Sequence, residues 1–369
     1  MDIVATGLGL CTALGPTAPD SWQSLLQGKT AIALRQPFAE LPPMPLAMVG
    51  KYPADPDMLL QAAVDEALQD AGFESPLQDW ALVVGSSRCY LYRQETMATD
   101  GSWLASLPGQ LSGRLARRLG ITGPVLAPMA ACATGVWALF QACLLLQTER
   151  CRRVLVAAVD APVTPLTLAG FRRMGAMAST GCYPFDCDRD GLVLGEGAAA
   201  VVLESVTDQT APSYGKILGF GLSNDAHHIS SPRPDRAIAT ARRCLEHSRI
   251  TPFQIDHIHT HGTGTQRNDA SEAALVAALF PKATVSASKG ATGHTLGAAG
   301  LISACFSLLS LRQQQPVPCV GLSHPAFDLN FVCADRGHRH QTIEHMLCHS
   351  FGFGGQNAIV ALAHTGESS

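Results

Sequence analysis

Two nine-residue stretches far apart in the chain share a pattern that constrains how it can fold. Residues 2–10 read Asp-Ile-Val-Ala-Thr-Gly-Leu-Gly-Leu, and residues 214–222 read Tyr-Gly-Lys-Ile-Leu-Gly-Phe-Gly-Leu. Each predicts a β-strand that runs into a Gly-x-Gly-Leu turn. The similarity predicts an internal duplication, with one unit at residues 1–206, a second at 214–369 and a polar junction at 206–213.

Both units then alternate predicted helices and strands. In the first, helical patterns at residues 58–71 and 133–148 are each followed by a short apolar strand, at 80–85 and 153–159. These strands lack a polar face, which is typical of sheets covered on both sides in an α/β fold. Two such units packed together predict a layered body with a ligand cleft between them.

The composition narrows the class of protein. Of 369 residues, 47% are hydrophobic and 15% are charged, which excludes a disordered chain. A net charge of -4 argues against a nucleic-acid binder. The twelve cysteines show no secretory spacing and the N-terminus no signal peptide, so we expect reduced thiols and a cytoplasmic protein. Glycines and prolines interrupt the uncharged stretches at residues 119–148 and 290–311, so we predict buried core segments and no membrane span.

Cys132 is the first candidate for chemistry. It lies in Ala-Ala-Cys-Ala-Thr-Gly, where an extended segment meets a long apolar helix. The positive end of a helix dipole lowers the pKa of a thiol, and the small neighbours leave room for a substrate. The alternative is a buried structural cysteine.

Three histidines alternate along one predicted strand, at His257, His259 and His261. Alternation puts the three imidazoles on one face, where they could hold a metal in a hydrolase. Alternatively, His257 and His259 are hydrogen-bonded core residues. The Gly-Thr-Gly-Thr turn at 262–265 places two hydroxyls beside His261, and hydroxyls suit amide recognition better than metal binding.

Two glycine-rich segments complete the candidate set. Lys289 precedes His294 at the start of a glycine- and alanine-rich helix, and a nearby cation keeps a histidine neutral. Residues 350–358, Ser-Phe-Gly-Phe-Gly-Gly-Gln-Asn-Ala, lack the lysine of a phosphate loop. That segment suits a gate or a set of backbone hydrogen-bond donors.

Taken together and in this order, these motifs resemble the elongating β-ketoacyl-[acyl-carrier-protein] synthases of the thiolase superfamily. Residues 183–198, Tyr-Pro-Phe-Asp-Cys-Asp-Arg-Asp-Gly-Leu-Val-Leu-Gly-Glu-Gly-Ala, also resemble that family's signature. The resemblance implies a thiolase-like five-layered αβαβα sandwich of two duplicated halves. It implies no metal and no cofactor, because the phosphopantetheine arm belongs to the carrier protein of the substrate.

The resemblance also assigns catalytic roles. Cys132 matches the acyl-accepting nucleophile, His261 and His294 match the two catalytic histidines, and Lys289 matches the supporting lysine. Initiating synthases carry asparagine at the position of His294, so this histidine favours the elongating branch. The implied reaction is the decarboxylative Claisen condensation of a Cys132-bound acyl group with malonyl-carrier protein.

Further residues match substrate-binding positions. Thr263 and Thr265 match the hydroxyls that hold the phosphopantetheine arm. Phe353 matches the gating phenylalanine, whose N–H joins that of Cys132 in an oxyanion hole. The chain is shorter than the family between residues 85 and 123, and we expect Tyr90 and Phe171 to close the acyl tunnel there.

The implied partners are acyl carrier protein and malonyl and acyl thioesters. We expect the carrier to dock on Arg172 and Arg173, with Arg117 and Arg118 as further candidates. The family is dimeric, so we expect a homodimer, or a heterodimer with a related ketosynthase subunit. A non-condensing partner that shapes chain length is the alternative function, although such partners usually lack the nucleophile.

Overall fold

The computed structural model describes most of the chain: residues 2–96, 102–206, 213–229, 233–333 and 342–366. The predicted junction falls, from residue 207 to residue 212, outside the described residues. The strands in the described ranges are β1 Asp2–Thr12, β2 Ala33–Arg35, β3 Met44–Leu46, β4 Ala81–Gly85, β5 Val125–Leu126, β6 Arg153–Asp160, β7 Gly197–Val206, β8 Gly215–Asn224, β9 His257–His259, β10 Thr284–Ser286, β11 Asn330–Phe331, β12 His345–Gly352 and β13 Gln356–Ala363.

The helices alternate with these strands, as the sequence predicts. Several begin with a proline in the first turn, where its missing N–H costs no hydrogen bond. The helices are α1 Ala18–Leu26, α2 Pro56–Asp70, α3 Leu91–Thr96, α4 Pro108–Leu119, α5 Thr134–Gln147, α6 Pro165–Arg173, α7 Pro234–Ser248, α8 Gln266–Leu279, α9 Lys289–Thr292 and α10 Ala299–Gln313, with 3₁₀ turns at Ser102–Ser106, Pro252–Gln254 and Leu296–Ala298.

Most of the strands form one continuous sheet that repeats its own topology. Its order is β11-β10-β9-β12-β13-β8-β1-β7-β6-β4-β5. The join between β1 and β8 is short, with the register pairs Val4–Lys216 and Ala5–Gly215. Outward from this join, both sides run through two antiparallel pairings and then parallel ones, two on the first side and three on the second. Such a repeat is what a duplicated chain would produce, while the exact limits of the two units stay a prediction.

Helices cover and separate the two sides of this sheet. The outer face of the first side carries α2 and α4, and that of the second carries α7 and α8. Between them, α5 and α10 pack on each other and on the inner faces of both sides. The layers therefore run helix, sheet, helix, sheet, helix, and the predicted thiolase-like sandwich is confirmed.

The Gly-x-Gly pairs do not turn the chain, so this part of the prediction is wrong. Strand β1 continues through Gly7 and Gly9 to Thr12, and β8 continues through its own pair. A Cβ on Gly9 would lie 2.0 Å from the carbonyl oxygen of Ala63 in α2, and one on Gly221 would lie 2.0 Å from that of Thr240 in α7. Both pairs thus let a helix backbone lie directly on a strand.

One helical stretch, Leu296–Gln313, is long and apolar enough to cross a membrane by length and composition. Within it, 89% of the residues are buried inside the fold. Its main part is α10, the middle-layer helix. Burial on all sides explains its apolar composition, as predicted for residues 290–311.

Candidate active site

Cys132 lies in a tight turn between β5 and α5. The turn includes Ala131 at φ 48°, a left-handed conformation that residues with a Cβ rarely adopt. The hydroxyl of Thr134 donates to the carbonyl of Ala131 at 2.6 Å and accepts from the N–H of Ala130 at 2.9 Å. These bonds hold the turn, so the thiol is presented in a fixed position.

A pocket between the two halves brings the predicted site residues together. Lys289 is the exception, since it does not line the pocket and instead contacts the backbone of His261. The pocket is lined, among others, by Cys132, Phe171, His261, Thr263, Thr265, His294 and Phe353.

The electrostatics of Cys132 differ from the prediction. All twelve cysteines are free thiols, and Cys132 is the one that reaches the pocket in the described part of the chain. Burial raises the pKa of its thiol to about 11, although the positive charge of Lys289 and the N–H of Phe353 act in the opposite direction. The prediction of a lowered pKa is therefore wrong, because desolvation outweighs the neighbouring positive groups. The thiol needs a base before it can attack.

The two catalytic candidates among the histidines lie edge to face. The ring centroids of His261 and His294 are 5.2 Å apart, with an angle of 81° between the planes. Burial, followed by the charge of Lys289, lowers the pKa of both imidazoles well below the ordinary value. The prediction that a nearby cation keeps His294 neutral is confirmed in direction. Neither Nδ1 has a hydrogen-bond partner among the described residues, so in neither ring does this nitrogen contribute a hydrogen bond to the fold there.

Lys289 and Glu272 fix the backbone around His261. The Lys289 ammonium donates to the carbonyl of His261, and burial lowers the pKa of this lysine. On the other side, the Glu272 carboxylate accepts the N–H groups of His261 at 2.7 Å and Gly262 at 2.8 Å. It also lies 3.1 Å from Nδ1 of His349. Sequence reasoning missed Glu272, although it lies on α8 directly after the Gly-Thr-Gly-Thr turn.

The other two strand histidines belong to the core. Nε2 of His257 lies 2.8 Å from the Ser286 hydroxyl, and Nε2 of His259 lies 3.0 Å from the Ser288 hydroxyl. In the described ranges, the group of three possible metal ligands that converges is instead Asp186, Asp188 and His324. The strand histidines thus follow the hydrogen-bonded alternative.

The two threonines predicted to hold a substrate arm form one edge of the pocket. Their hydroxyl oxygens, Oγ1 of Thr263 and Oγ1 of Thr265, are 2.9 Å apart. The N–H of Thr263 donates to the buried carboxylate of Asp269 at 3.1 Å. Burial raises the pKa of Asp269 to about 6. The pair therefore presents an adjacent donor and acceptor on a fixed turn, which suits an amide.

Phe353 and Phe171 close the opposite, apolar side. Their rings stack with centroids 5.7 Å apart and planes inclined by 26°. The N–H of Phe353 is directed at the Cys132 thiol. A Cβ on Gly352 would lie 3.1 Å from the nitrogen of Cys132, so the final loop passes directly over the nucleophile turn. The N–H of Phe353 therefore lies beside the thiol, near the place where an oxyanion would form.

Asp160 connects the loop after β4 with the second half of the fold. Sequence reasoning did not identify this residue. Its buried carboxylate accepts the hydroxyls of Ser86 at 2.7 Å and Ser87 at 2.5 Å. It further accepts the N–H groups of Arg88 at 2.9 Å and Gly297 at 2.6 Å. The loop after β4 is therefore fixed beside the pocket.

Tyr90 does not line the pocket, and its predicted place at the tunnel end is wrong. Its hydroxyl donates to the Asp57 carboxylate at 2.5 Å. The guanidinium groups of Arg93 and Arg114 each lie over its ring, 4.6 Å from the centroid. The side chain packs in the outer core with α2 and α4, whereas Phe171 shares a core cluster with Cys132.

Comparisons with known proteins agree with this geometry. Residues 55–209 match the family profile described as "Beta-ketoacyl synthase, N-terminal domain", and residues 214–323 match "Beta-ketoacyl synthase, C-terminal domain". The chain is 31% identical to 3-oxoacyl-[acyl-carrier-protein] synthase 2 of Coxiella burnetii, over 98% of each chain. It is 29% identical to the mitochondrial 3-oxoacyl-[acyl-carrier-protein] synthase of Arabidopsis thaliana, over 98% of this chain and 93% of that one.

Solved structures show the same architecture. A β-ketoacyl synthase from Burkholderia phymatum superposes with a TM-score of 0.88 at 24% identity, over 99% of each chain. A ketosynthase in complex with its chain length factor, from Xenorhabdus doucetiae, gives 0.82 at 26% identity, covering 99% of this chain and 98% of that one. The chain therefore belongs to the β-ketoacyl synthase family, the acyl-transferring condensing enzymes of the thiolase superfamily.

Proposed function

We propose that this protein condenses a Cys132-bound acyl group with malonyl-carrier protein and releases carbon dioxide or bicarbonate. One observation carries the proposal: a buried thiol and two neutral imidazoles share one pocket, with a backbone N–H directed at the thiol. His261 and His294 both belong to the second half of the fold, and Cys132 belongs to the first half. These are the three groups that the proposed reaction needs.

In the first step the Cys132 sulfur attacks the carbonyl carbon of an acyl thioester. Its proton passes to a neutral imidazole, because a thiol with a pKa of about 11 is protonated at neutral pH. The N–H groups of Phe353 and Cys132 stabilise the oxyanion of the tetrahedral intermediate. The carbon–sulfur bond to the carrier then breaks, the proton goes to the departing carrier thiolate, and the acyl group stays on Cys132.

In the second step malonyl-carrier protein replaces the first carrier. Its carboxylate leaves with the C–C bond broken, and the electron pair forms an enolate whose oxygen accepts hydrogen bonds from His261 and His294. The enolate carbon attacks the acyl-Cys132 carbonyl. Breaking the carbon–sulfur bond then gives a β-ketoacyl-carrier product and frees the Cys132 thiolate, which takes a proton from water and so restores the thiol. No metal or redox cofactor takes part in this scheme.

The substrates of this scheme travel on acyl carrier protein, in fatty-acid or polyketide-type chain elongation. Relatives named 3-oxoacyl-[acyl-carrier-protein] synthase support the carrier as a partner, and one solved neighbour is a ketosynthase bound by a type II polyketide carrier protein. Thr263 and Thr265 would hold the phosphopantetheine arm by its amides. The exposed Arg172 and Arg173 at the end of α6 directly follow the pocket residue Phe171, which suits an acidic carrier. We place the reaction in the cytoplasm.

We also propose that the chain pairs through the first half, with a second copy of itself or with a related ketosynthase subunit. Strand β5 is an edge of the sheet, which leaves its backbone groups free to pair. Exposed apolar side chains lie on and beside it, Val125 at 39% and Met129 at 54% of their full accessibility. Light scattering of the purified chain, alone and with candidate subunits, gives the mass of the assembly.

The test of the reaction is mass spectrometry of Cys132 after incubation with a panel of acyl-carrier proteins, followed by addition of malonyl-carrier protein. We expect an acyl adduct that disappears as a β-ketoacyl product forms. Cys132→Ala should give neither, whereas Cys143→Ala, which removes another buried thiol in α5, should give both. A wild-type chain that takes no acyl group and yields no product would support the non-condensing alternative.

A further inference from the structure

Arg88 holds a position that the proposed reaction does not use. It follows β4 in the loop that Asp160 anchors through the N–H of Arg88 and the hydroxyls of Ser86 and Ser87. The backbone of Arg88 is therefore fixed, and its half-buried side chain extends from a defined point. Its guanidinium lies 5.9 Å from the ring centroid of Phe171.

This places a cation near the nucleophile, beside one residue of the pocket wall. Phe171 lines the pocket that contains Cys132, and the guanidinium of Arg88 lies over the ring of Phe171. The charge of Arg88 is close enough to act on the Cys132 thiol and to oppose the effect of burial on its pKa.

The guanidinium of Arg88 has no carboxylate partner among the residues that the structure describes. Two nearby arginines show the contrast, since Arg93 pairs with Asp55 at 2.6 Å and Arg114 pairs with Asp57 at 3.1 Å. The N–H groups of a guanidinium lie in its own plane, and two of them can bind one carboxylate at two points. With no carboxylate partner in the described ranges, the Arg88 guanidinium can therefore receive the carboxylate of a ligand.

An acyl group on Cys132 is best accommodated by the apolar side of the pocket. The two histidines and the threonines occupy the polar part of the pocket, where the malonyl unit and the carrier arm must lie. One side of Cys132 is apolar, because the residue shares a core cluster with Phe171, Leu192 and Leu296. An acyl chain that followed this side past Phe171 would approach Arg88.

We propose that Arg88 selects acyl groups that end in a carboxylate, so that the preferred primer is a dicarboxylic acid bound through one thioester. The methylene groups would lie along Phe171, and the terminal carboxylate would pair with the guanidinium. A methyl-ended chain of the same length would instead leave the cation desolvated and unpaired, which is unfavourable. This inference rests on the proposed acyl transfer to Cys132.

The test compares matched acyl-pantetheines in the acylation of Cys132, followed by mass spectrometry. Succinyl, glutaryl and adipyl thioesters are set against their isosteres 4-methylpentanoyl, 5-methylhexanoyl and 6-methylheptanoyl, in which a branched methyl pair replaces the carboxylate. The variants are Arg88→Met, Arg88→Lys and, as a matched control, Arg93→Met. Carbon dioxide release from malonyl-carrier protein without primer reports in each variant whether the histidine site is intact.

We expect the wild type to prefer the carboxylate at one or more chain lengths. Arg88→Met should reduce that preference about tenfold or more, the usual effect of losing a charged hydrogen bond. Arg88→Lys should keep most of it, and Arg93→Met all of it. Equal preference in the wild type and Arg88→Met would overturn the inference. The inference would also be overturned if Arg88→Met accepted methyl-ended chains and still accepted carboxylated ones as well as the wild type does, since Arg88 would then only fill space. If wild-type Cys132 takes none of the thioesters, yet malonyl-carrier protein is decarboxylated, acyl transfer itself fails, and this inference fails with it.

Discussion

Replacing His294 by alanine should separate the two halves of the proposed reaction. A neutral imidazole carries one ring N–H. Nδ1 of His294 makes no hydrogen bond to a described residue. A single donor to a developing oxyanion contributes about 3 kcal/mol. At about 1.4 kcal/mol for each factor of ten, His294→Ala should slow decarboxylation of malonyl-carrier protein about 150-fold. His294→Asn, which keeps an N–H donor, should lose less.

Cys132→Ala gives the opposite pattern, because it removes the nucleophile and leaves both donors. It should abolish condensation while carbon dioxide release without an acyl primer continues, and Cys143→Ala should keep both activities. The assay is release of carbon dioxide from malonyl-carrier protein, measured in parallel with β-ketoacyl product formation. The division of roles is refuted if Cys132→Ala and His294→Ala lose decarboxylation to the same extent.

Further predictions concern the carrier-docking arginines, the acyl pocket and the protonation of the Cys132 thiol. Charge reversal at Arg172 and Arg173 should raise KM for acyl-carrier protein but not for acyl-pantetheine, since docking charges act mainly on association; an equal effect on both substrates would contradict this. Phe171→Ala should shift the acyl-length profile towards longer chains, whereas Tyr90→Ala should leave that profile unchanged and lower the free energy of unfolding by about 3 kcal/mol. Acylation of Cys132 should stay level between about pH 6.5 and about pH 8.5, because a neutral imidazole takes the thiol proton. A free thiolate with a pKa of about 11 would instead give a tenfold rise per pH unit.

The sequence motifs identified the pocket residues because each motif is short and local. Cys132, His261 and His294 lie in separate segments, and the duplicated α/β pattern explains how the fold brings them to one place. The carboxylates Asp160 and Glu272 could not be found this way. Asp160 acts through the N–H of Gly297, which is distant in sequence, so nothing in its own neighbours marks it. Glu272 is close to His261 in sequence, but no local pattern shows that its carboxylate turns back to the N–H groups of His261 and Gly262.

Other differences come from burial, which periodicity does not measure. A helix N-terminus favours the thiolate of Cys132, yet desolvation raises its pKa. The pattern at Gly7 and Gly9 predicts a turn, whereas the contact with α2 requires glycine inside a continuous strand. Tyr90 follows β4 closely, but its ring packs in the outer core, where it contacts the guanidinium groups of Arg93 and Arg114.

The close crossing of α5 and α10 has a consequence for how activity is lost on heating. A Cβ on Gly135 would lie 2.3 Å from the nitrogen of Leu301, so the two central helices meet backbone to backbone at the starts from which the catalytic turns extend. The nucleophile turn and the segment before α10 are thus supported by the same helix contact. Inactivation and loss of tertiary structure should therefore follow a single cooperative transition, and a calorimetric melt should coincide with the temperature profile of residual activity.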